Sequence, residues 1–299
     1  MTSPRPIEFP TPDGLTLRGL FYSTGSQKKR PCIILGHGIT GLKEQFLPAF
    51  AQRFQAAGYG ALLYDYRNWG ASDGLPRQET NPIQQARDFS DAFDFAASLD
   101  EVDSAKIVFW GSSMGGGVVL YAAALDKRIR AVISQVPFVS GEALVPILSP
   151  KLDSLYGARQ QAKAGNPPPL LKLFTDKSGT ALEEDREALL NDPNLVGFLK
   201  ASEEQNLPWS PNITPQTLLN LLAFEPQAFI HRVSPTPLLL VVAGKDYTAS
   251  TPSQLKAYAS AYEPKELAIL HNAGHFDPYH GPSFEENIKV QLDFLSKTL

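Results

Sequence analysis

One stretch, residues 106–124 (KIVFWGSSMGGGVVLYAAA), limits what this chain can fold into more than any other. Lys106 to Trp110 is a short apolar run of β-branched and aromatic residues and reads as a buried strand. Gly111-Ser112-Ser113-Met114-Gly115 follows with G-x-S-x-G spacing, and from Val118 onward small and aliphatic residues suit a closely packed helix. A sharp strand-to-helix turn forces its corner residue into a strained backbone conformation, and only a glycine near it on each side leaves room for the turn. Ser113 stands at that corner and is the candidate nucleophile. The amino end of the following helix would stabilise negative charge beside it. Gly115-Gly116-Gly117 reads as close helix-on-sheet packing rather than as a phosphate loop.

The rest of the chain supplies neighbours for such a strand. Residues 7–9 and 15–22, joined by Pro-Thr-Pro-Asp-Gly, predict an antiparallel hairpin at a sheet edge. Further strands are predicted at 31–35, 60–66, 131–136, 238–243 and 267–270, and helices at 45–57, 82–99 and 283–295. This alternation predicts an α/β fold, a mainly parallel sheet flanked by helices on both faces. The rhythm breaks between Pro137 and Pro235, where no convincing strand occurs and helix-like pieces at 182–190 and 215–224 are separated by prolines. A structureless loop of that length would be improbable inside a compact domain. The expectation is an α/β core from 1–137 and 235–299, with a helical cap inserted at 138–234.

Several function classes lose support at once. A formal net charge of -4 without a long basic run argues against nucleic acid, whose phosphates require clustered Lys and Arg. Lys28-Lys29-Arg30 reads as a solvated turn. The single cysteine, Cys32, excludes an internal disulfide and lies in an apolar strand as a buried side chain. The amino terminus lacks the apolar core of a signal peptide, and no apolar run approaches the roughly 18 residues that span a bilayer. A cytoplasmic protein without a membrane span is the expectation. Neither H-E-x-x-H nor G-x-x-x-x-G-K-[ST] occurs, so no metal and no cofactor are expected.

A serine hydroxyl is a poor nucleophile near neutral pH and needs a base. Of the five histidines, His275 in Asn-Ala-Gly-His-Phe-Asp follows the last predicted strand and emerges at the same sheet edge as Ser113. His271 reads as structural, while His231 sits in or beside the cap and His280 in a polar loop. The base needs a carboxylate to hold its tautomer, and Asp246 arrives there from the carboxyl end of the strand at 238–243. Glu142 is the fallback acid, and Asp277 reads as a loop cap. Acyl transfer also needs donors for an oxyanion, assigned to the backbone N–H groups of Met114 and of Ile39, the latter in the loop Gly36-His37-Gly38-Ile39-Thr40-Gly41. A second G-x-S-x-G occurs at Gly70 to Gly74, but Ser72 precedes Asp-Gly-Leu-Pro, which cannot begin a helix, and reads as a turn residue.

The order Ser113, Asp246, His275 is that of the α/β-hydrolase superfamily, and the resemblance extends further. Gly41-Leu42-Lys43-Glu44, the run from Asp65 to Gly74, and Gly274-His275-Phe276-Asp277-Pro278-Tyr279 are similar to dienelactone hydrolases and X-Pro-peptidase-like hydrolases, a subgroup that includes fungal polyketide transferases and thiohydrolases of secondary metabolism. The resemblance implies a Ser-His-Asp site on Ser113, His275 and Asp246. It also implies a small-molecule ester, thioester or carrier-bound acyl substrate. A serine hydrolase or acyltransferase is therefore expected; the alternative is a non-hydrolytic cyclase or ligand-binding protein that keeps the pocket. Leu218, Leu222, Phe224 and Phe229 are the cap's candidate apolar contacts for an acyl chain, although an amphipathic cap helix packed on the core would show the same residues.

Overall fold

The apolar runs become the inner strands of one eight-stranded sheet in a computed structural model that describes residues 2–174, 189–190, 192 and 194–299. Strands β1 (Arg5–Pro10) and β2 (Thr16–Tyr22) form the antiparallel hairpin, with β1 at the edge. Inside lie β3 (Arg30–Gly36), β4 (Gly60–Tyr64), β5 (Val102–Ser112) and β6 (Ala131–Gln135). A short pair, β7 (Leu171–Lys172) and β8 (Asn212–Ile213), stands apart, and β9 (Leu238–Ala243) and β10 (Lys265–Leu270) complete the main sheet. The order is β1-β2-β4-β3-β5-β6-β9-β10, and every pairing from β4 to β10 is parallel. The chain passes from β3 outward to β4, then crosses back to place β5 on the other side of β3. Ligands of open α/β sheets bind at such a reversal, outside the carboxyl ends of the strands.

Burial follows from the strand period of two. Successive residues of β5 point to opposite faces. Phe109 meets Phe89 of α2 (Pro82–Ser98), with ring centroids 5.0 Å apart, beside α3 (Met114–Leu125). Trp110 faces the other way, 4.9 Å from the Phe50 ring of α1 (Leu47–Ala56). Both rings are fully buried, so the sheet is covered on each side. Asn81 explains where α2 begins: its side chain accepts a hydrogen bond from Gln84 N at 3.1 Å, and Pro82 occupies the first turn, where no N–H is needed.

Between β6 and β9 the described residues contain α4 (Val145–Leu148), α5 (Leu152–Lys163), α6 (Leu195–Glu204) and α7 (Pro215–Leu222). The helix-like piece read at 182–190 lies outside the described residues except for Leu189 and Leu190. After β9 come α8 (Thr251–Ser260), which sequence periodicity did not announce, and α9 (Gly281–Thr298). The helix expected from Val118 starts at Met114, because three glycines that are poor helix formers in isolation let the helix approach the sheet. A Cβ on Gly117 would lie 2.1 Å from the Phe138 carbonyl oxygen.

Cys32 is fully buried in β3, and burial pushes its thiol well above the ordinary range. A disulfide-forming reagent such as Ellman's should therefore find no thiol in the native protein and one per chain in guanidinium. Prompt native labelling would contradict the packing of β3.

Candidate active site

Strand β5 ends at Ser112 and α3 begins at Met114, leaving Ser113 as the whole turn. Its φ of 58° and ψ of -123° are strained for a residue with a Cβ, and they persist because β6 and the following loop hold both backbone groups. Ser113 N–H donates to Gln135 O at 2.9 Å, and Ser113 O accepts from Phe138 N at 2.9 Å. The flanking glycines are required by contact: a Cβ on Gly111 would sit 2.1 Å from Gly115 O, and one on Gly115 2.4 Å from His37 O. Gly115→Ala should lower stability by about 1–3 kcal/mol through overpacking against rigid backbone and also lower activity by displacing the β3 loop. Urea denaturation and ester turnover check this; an unchanged midpoint would contradict the close approach.

Asp246 follows β9 and His275 follows β10, and the sheet brings both to Ser113. His275 Nε2 lies 2.9 Å from Ser113 Oγ, and His275 Nδ1 lies 2.8 Å from Asp246 Oδ2. An ionised carboxylate only accepts, so Nδ1 carries the proton and Nε2 is left to accept the serine's. Ala249 N donates to Asp246 Oδ1 at 2.7 Å, and Gln254 Nε2 donates to Oδ2 at 2.8 Å. Burial pushes the Asp246 carboxyl up, but His275 and these donors outweigh it, and the net shift is downward.

Other candidates fall away from this line. Glu142 is exposed, and Asp277 accepts from Gly274 N at 2.7 Å, capping the loop that carries His275. His271 is exposed, His231 packs on the Tyr262 ring and His280 on the Phe46 ring. Ser72 is buried, but its hydroxyl donates to Asp65 O at 2.6 Å and accepts from Arg18 N at 2.9 Å, which makes it a structural turn residue.

The loop after β3 lies against the serine: a Cβ on Gly38 would be 3.3 Å from that of Ser113. His37 locks this loop. Its Nδ1–H donates to Gly38 O at 2.8 Å and its Nε2 accepts from Tyr66 N at 3.4 Å, while burial lowers its pKa and keeps it neutral. Thr40 has a φ of 62°, a second strained non-glycine residue in the same wall. Ile39 and Met114 both line cavity surface with Ser113. The Met114 N–H is the first of α3 and has no partner within the helix.

One set of side chains escaped the sequence reading. Gln135 donates through Nε2 to Ser112 Oγ at 2.9 Å and accepts at Oε1 from Asn287 at 2.6 Å and Gln291 at 3.0 Å. Ser112 in turn donates to Tyr279 OH at 2.6 Å, so buried polar groups join the turn at Ser113 to the segment after His275. A faint signal existed. Asn287 and Gln291 are spaced four apart on the otherwise apolar face of α9 that carries Phe284, Ile288 and Leu295.

Two cavities meet at Ser113, Ile39, Leu190 and Thr248. One is aliphatic, with Met114, Leu144, Leu148, Leu173, Leu218 and Leu221 among its walls. The other is walled by aromatic rings and includes His275. Of the cap residues nominated from sequence, Leu218 reaches the aliphatic cavity. Phe224 and Phe229 instead pack on Tyr121, with centroids 5.9 and 4.9 Å away, and Leu222 packs partly buried against the core.

The sequence model of the alpha/beta hydrolase family matches residues 33–285. This chain belongs to the alpha/beta hydrolase family. Its similarities within that family cover nearly the whole chain. It is 33% identical to the polyketide transferase ATR5 of Stachybotrys chlorohalonatus, over 98% of this chain and 97% of that protein. It is 29% identical to the thiohydrolase aneE of Aspergillus aculeatus, over 98% of this chain and 93% of that protein. Among solved structures, the alpha/beta hydrolase GrgF from Penicillium sp. sh18 superposes with a TM-score of 0.87 at 32% identity, covering 99% of each chain. Among the described residues of this family member, no helix is long and apolar enough to cross a membrane, and no cluster of His, Cys, Asp or Glu is arranged to hold a metal ion.

Proposed function

We propose that this hydrolase-family protein transfers an acyl group through Ser113, acting on an ester or thioester, free or carrier-bound, as a hydrolase or acyltransferase. The observation that carries the reading is the unbroken line from Asp246 through His275 to Ser113 Oγ, both links under 3 Å. In the proposed sequence, His275 Nε2 takes the hydroxyl proton as Ser113 Oγ attacks the acyl carbonyl. Asp246 stabilises the imidazolium that results. The Ile39 and Met114 N–H groups receive the oxyanion at the amino end of α3. His275 then protonates the leaving alcohol or thiol, and water or another alcohol releases the acyl group by the reverse exchange.

Residues 138–234 form the cap in this reading, and their leucines support an apolar acyl chain in the aliphatic cavity. The names of the relatives, polyketide transferase and thiohydrolase, support acyl donors of the same kind. A series of p-nitrophenyl esters from acetate to decanoate tests the assignment. kcat/KM should rise about tenfold or more from acetate to a medium chain, since each buried methylene is worth roughly 0.8 kcal/mol. A flat profile would contradict placing the acyl chain in the aliphatic cavity.

A further inference from the structure

The two cavities at Ser113 are not equivalent, because His275 lines only the aromatic one. Resting on the proposed serine chemistry, this difference fixes which group enters where. Any acceptor that releases the acyl group must give its proton to His275 Nε2, so it approaches through the cavity that His275 lines. The acyl chain, fixed to Ser113 Oγ, is left with the aliphatic side.

The walls of the histidine-side cavity select among acceptors. Phe46 and Phe198 lie 4.8 Å apart between centroids, Phe198 and Phe276 5.0 Å, and Phe198 and Tyr279 5.7 Å. Several polar side chains around it are turned to protein partners. Gln45 donates its amide to Ser202, Thr248 donates to Asp192, the Tyr279 hydroxyl accepts from Ser112, and both nitrogens of His37 are engaged. A flat ring carrying one hydroxyl needs a single partner, and His275 supplies it.

We propose that the ring-walled cavity is the binding site for an aromatic alcohol as acyl acceptor. The alcohol oxygen bonds to the acyl carbon while the bond from that carbon to Ser113 Oγ breaks. The alcohol proton passes to His275 Nε2 and then to Ser113 Oγ, giving an ester and the free enzyme with no net oxidation.

The test uses wild-type protein, p-nitrophenyl hexanoate as donor, and cinnamyl alcohol or glycerol at equal concentration as acceptor. Product ester and hexanoic acid are quantified by mass spectrometry. Cinnamyl hexanoate should form with saturating dependence on the alcohol, at least tenfold more than the glycerol ester. Phe198→Ala and the milder Phe198→Leu, each checked for native circular dichroism, should raise the apparent KM for cinnamyl alcohol by about tenfold for Ala and less for Leu. A p-nitrophenol burst with no cinnamyl ester, or with equal esters of both alcohols, overturns the acceptor site and leaves the serine chemistry standing. Absence of both the burst and any fluorophosphonate adduct on Ser113 overturns both.

Discussion

Replacing Ser113 with Ala should reduce turnover of p-nitrophenyl hexanoate by about 10⁴-fold or more, because among the described residues no other hydroxyl is hydrogen-bonded to His275. Ser112 is the nearest in sequence, but its hydroxyl is buried between Gln135 and Tyr279 and points into the core network. Ser72, the other serine with matching local spacing, is committed to Asp65 and Arg18. The variant should fold normally. Alanine keeps the Cβ whose strain the wild type already tolerates at φ 58°, and the backbone bonds to Gln135 and Phe138 do not involve the side chain. Equal urea midpoints with turnover reduced to background are the expected pair of results. Turnover at the wild-type rate would rule out Ser113 as the nucleophile.

Asp246→Asn should lower kcat on the order of 10³- to 10⁴-fold while leaving KM within a few-fold, because the loss falls on the charged state of the imidazole. The environment of Asp246 is built for a group that only accepts. Oδ1 meets the Ala249 N–H and Oδ2 meets both Gln254 Nε2 and the His275 Nδ1–H, so the amide NH₂ of asparagine faces a donor in either orientation. The same change should destabilise the fold near neutral pH. Because the folded carboxyl is shifted downward, it contributes stability above the unfolded carboxylate range, and that contribution is lost as pH falls through its folded value. The stability gap between wild type and variant should therefore narrow toward acid pH. A gap that widens there would contradict an ionised Asp246.

Much of this architecture is legible in the sequence because parallel strands buried on both faces must be continuous apolar runs. The runs at Cys32 to Leu35, Ile107 to Trp110 and Leu238 to Ala243 cannot be exposed, and each ends in a polar or glycine-containing loop at one sheet edge. That edge collects Ser113, Asp246 and His275 from positions far apart in the chain. Boundaries were less legible. The helix after Ser113 begins at Met114, although glycine opposes helix, because close approach to β6 and Phe138 outweighs intrinsic preference. The described residues between β6 and β9 resisted reading because their short helices lack a long periodic face and make contacts with distant elements: Thr217 Oγ1 accepts from Thr80 N at 2.9 Å. Phe224 illustrates the same limit. Its apolar character is plain, yet only the fold shows that it packs on Tyr121 beside Gly117. The Gln135 network was hidden for a related reason: single Gln and Asn residues in strand and helix look like solvated positions until tertiary contacts bury them.

The most direct measurement is intact-protein and peptide mass spectrometry after treatment with a fluorophosphonate. A reactive serine polarised by His275 should take up one phosphonate per chain, on the peptide that carries Ser113. His275→Ala should slow that reaction by several orders of magnitude at unchanged stability. No adduct on Ser113 in folded wild-type protein, or an adduct formed equally fast without His275, would contradict acyl transfer through this serine and leave the cavities as a binding site alone.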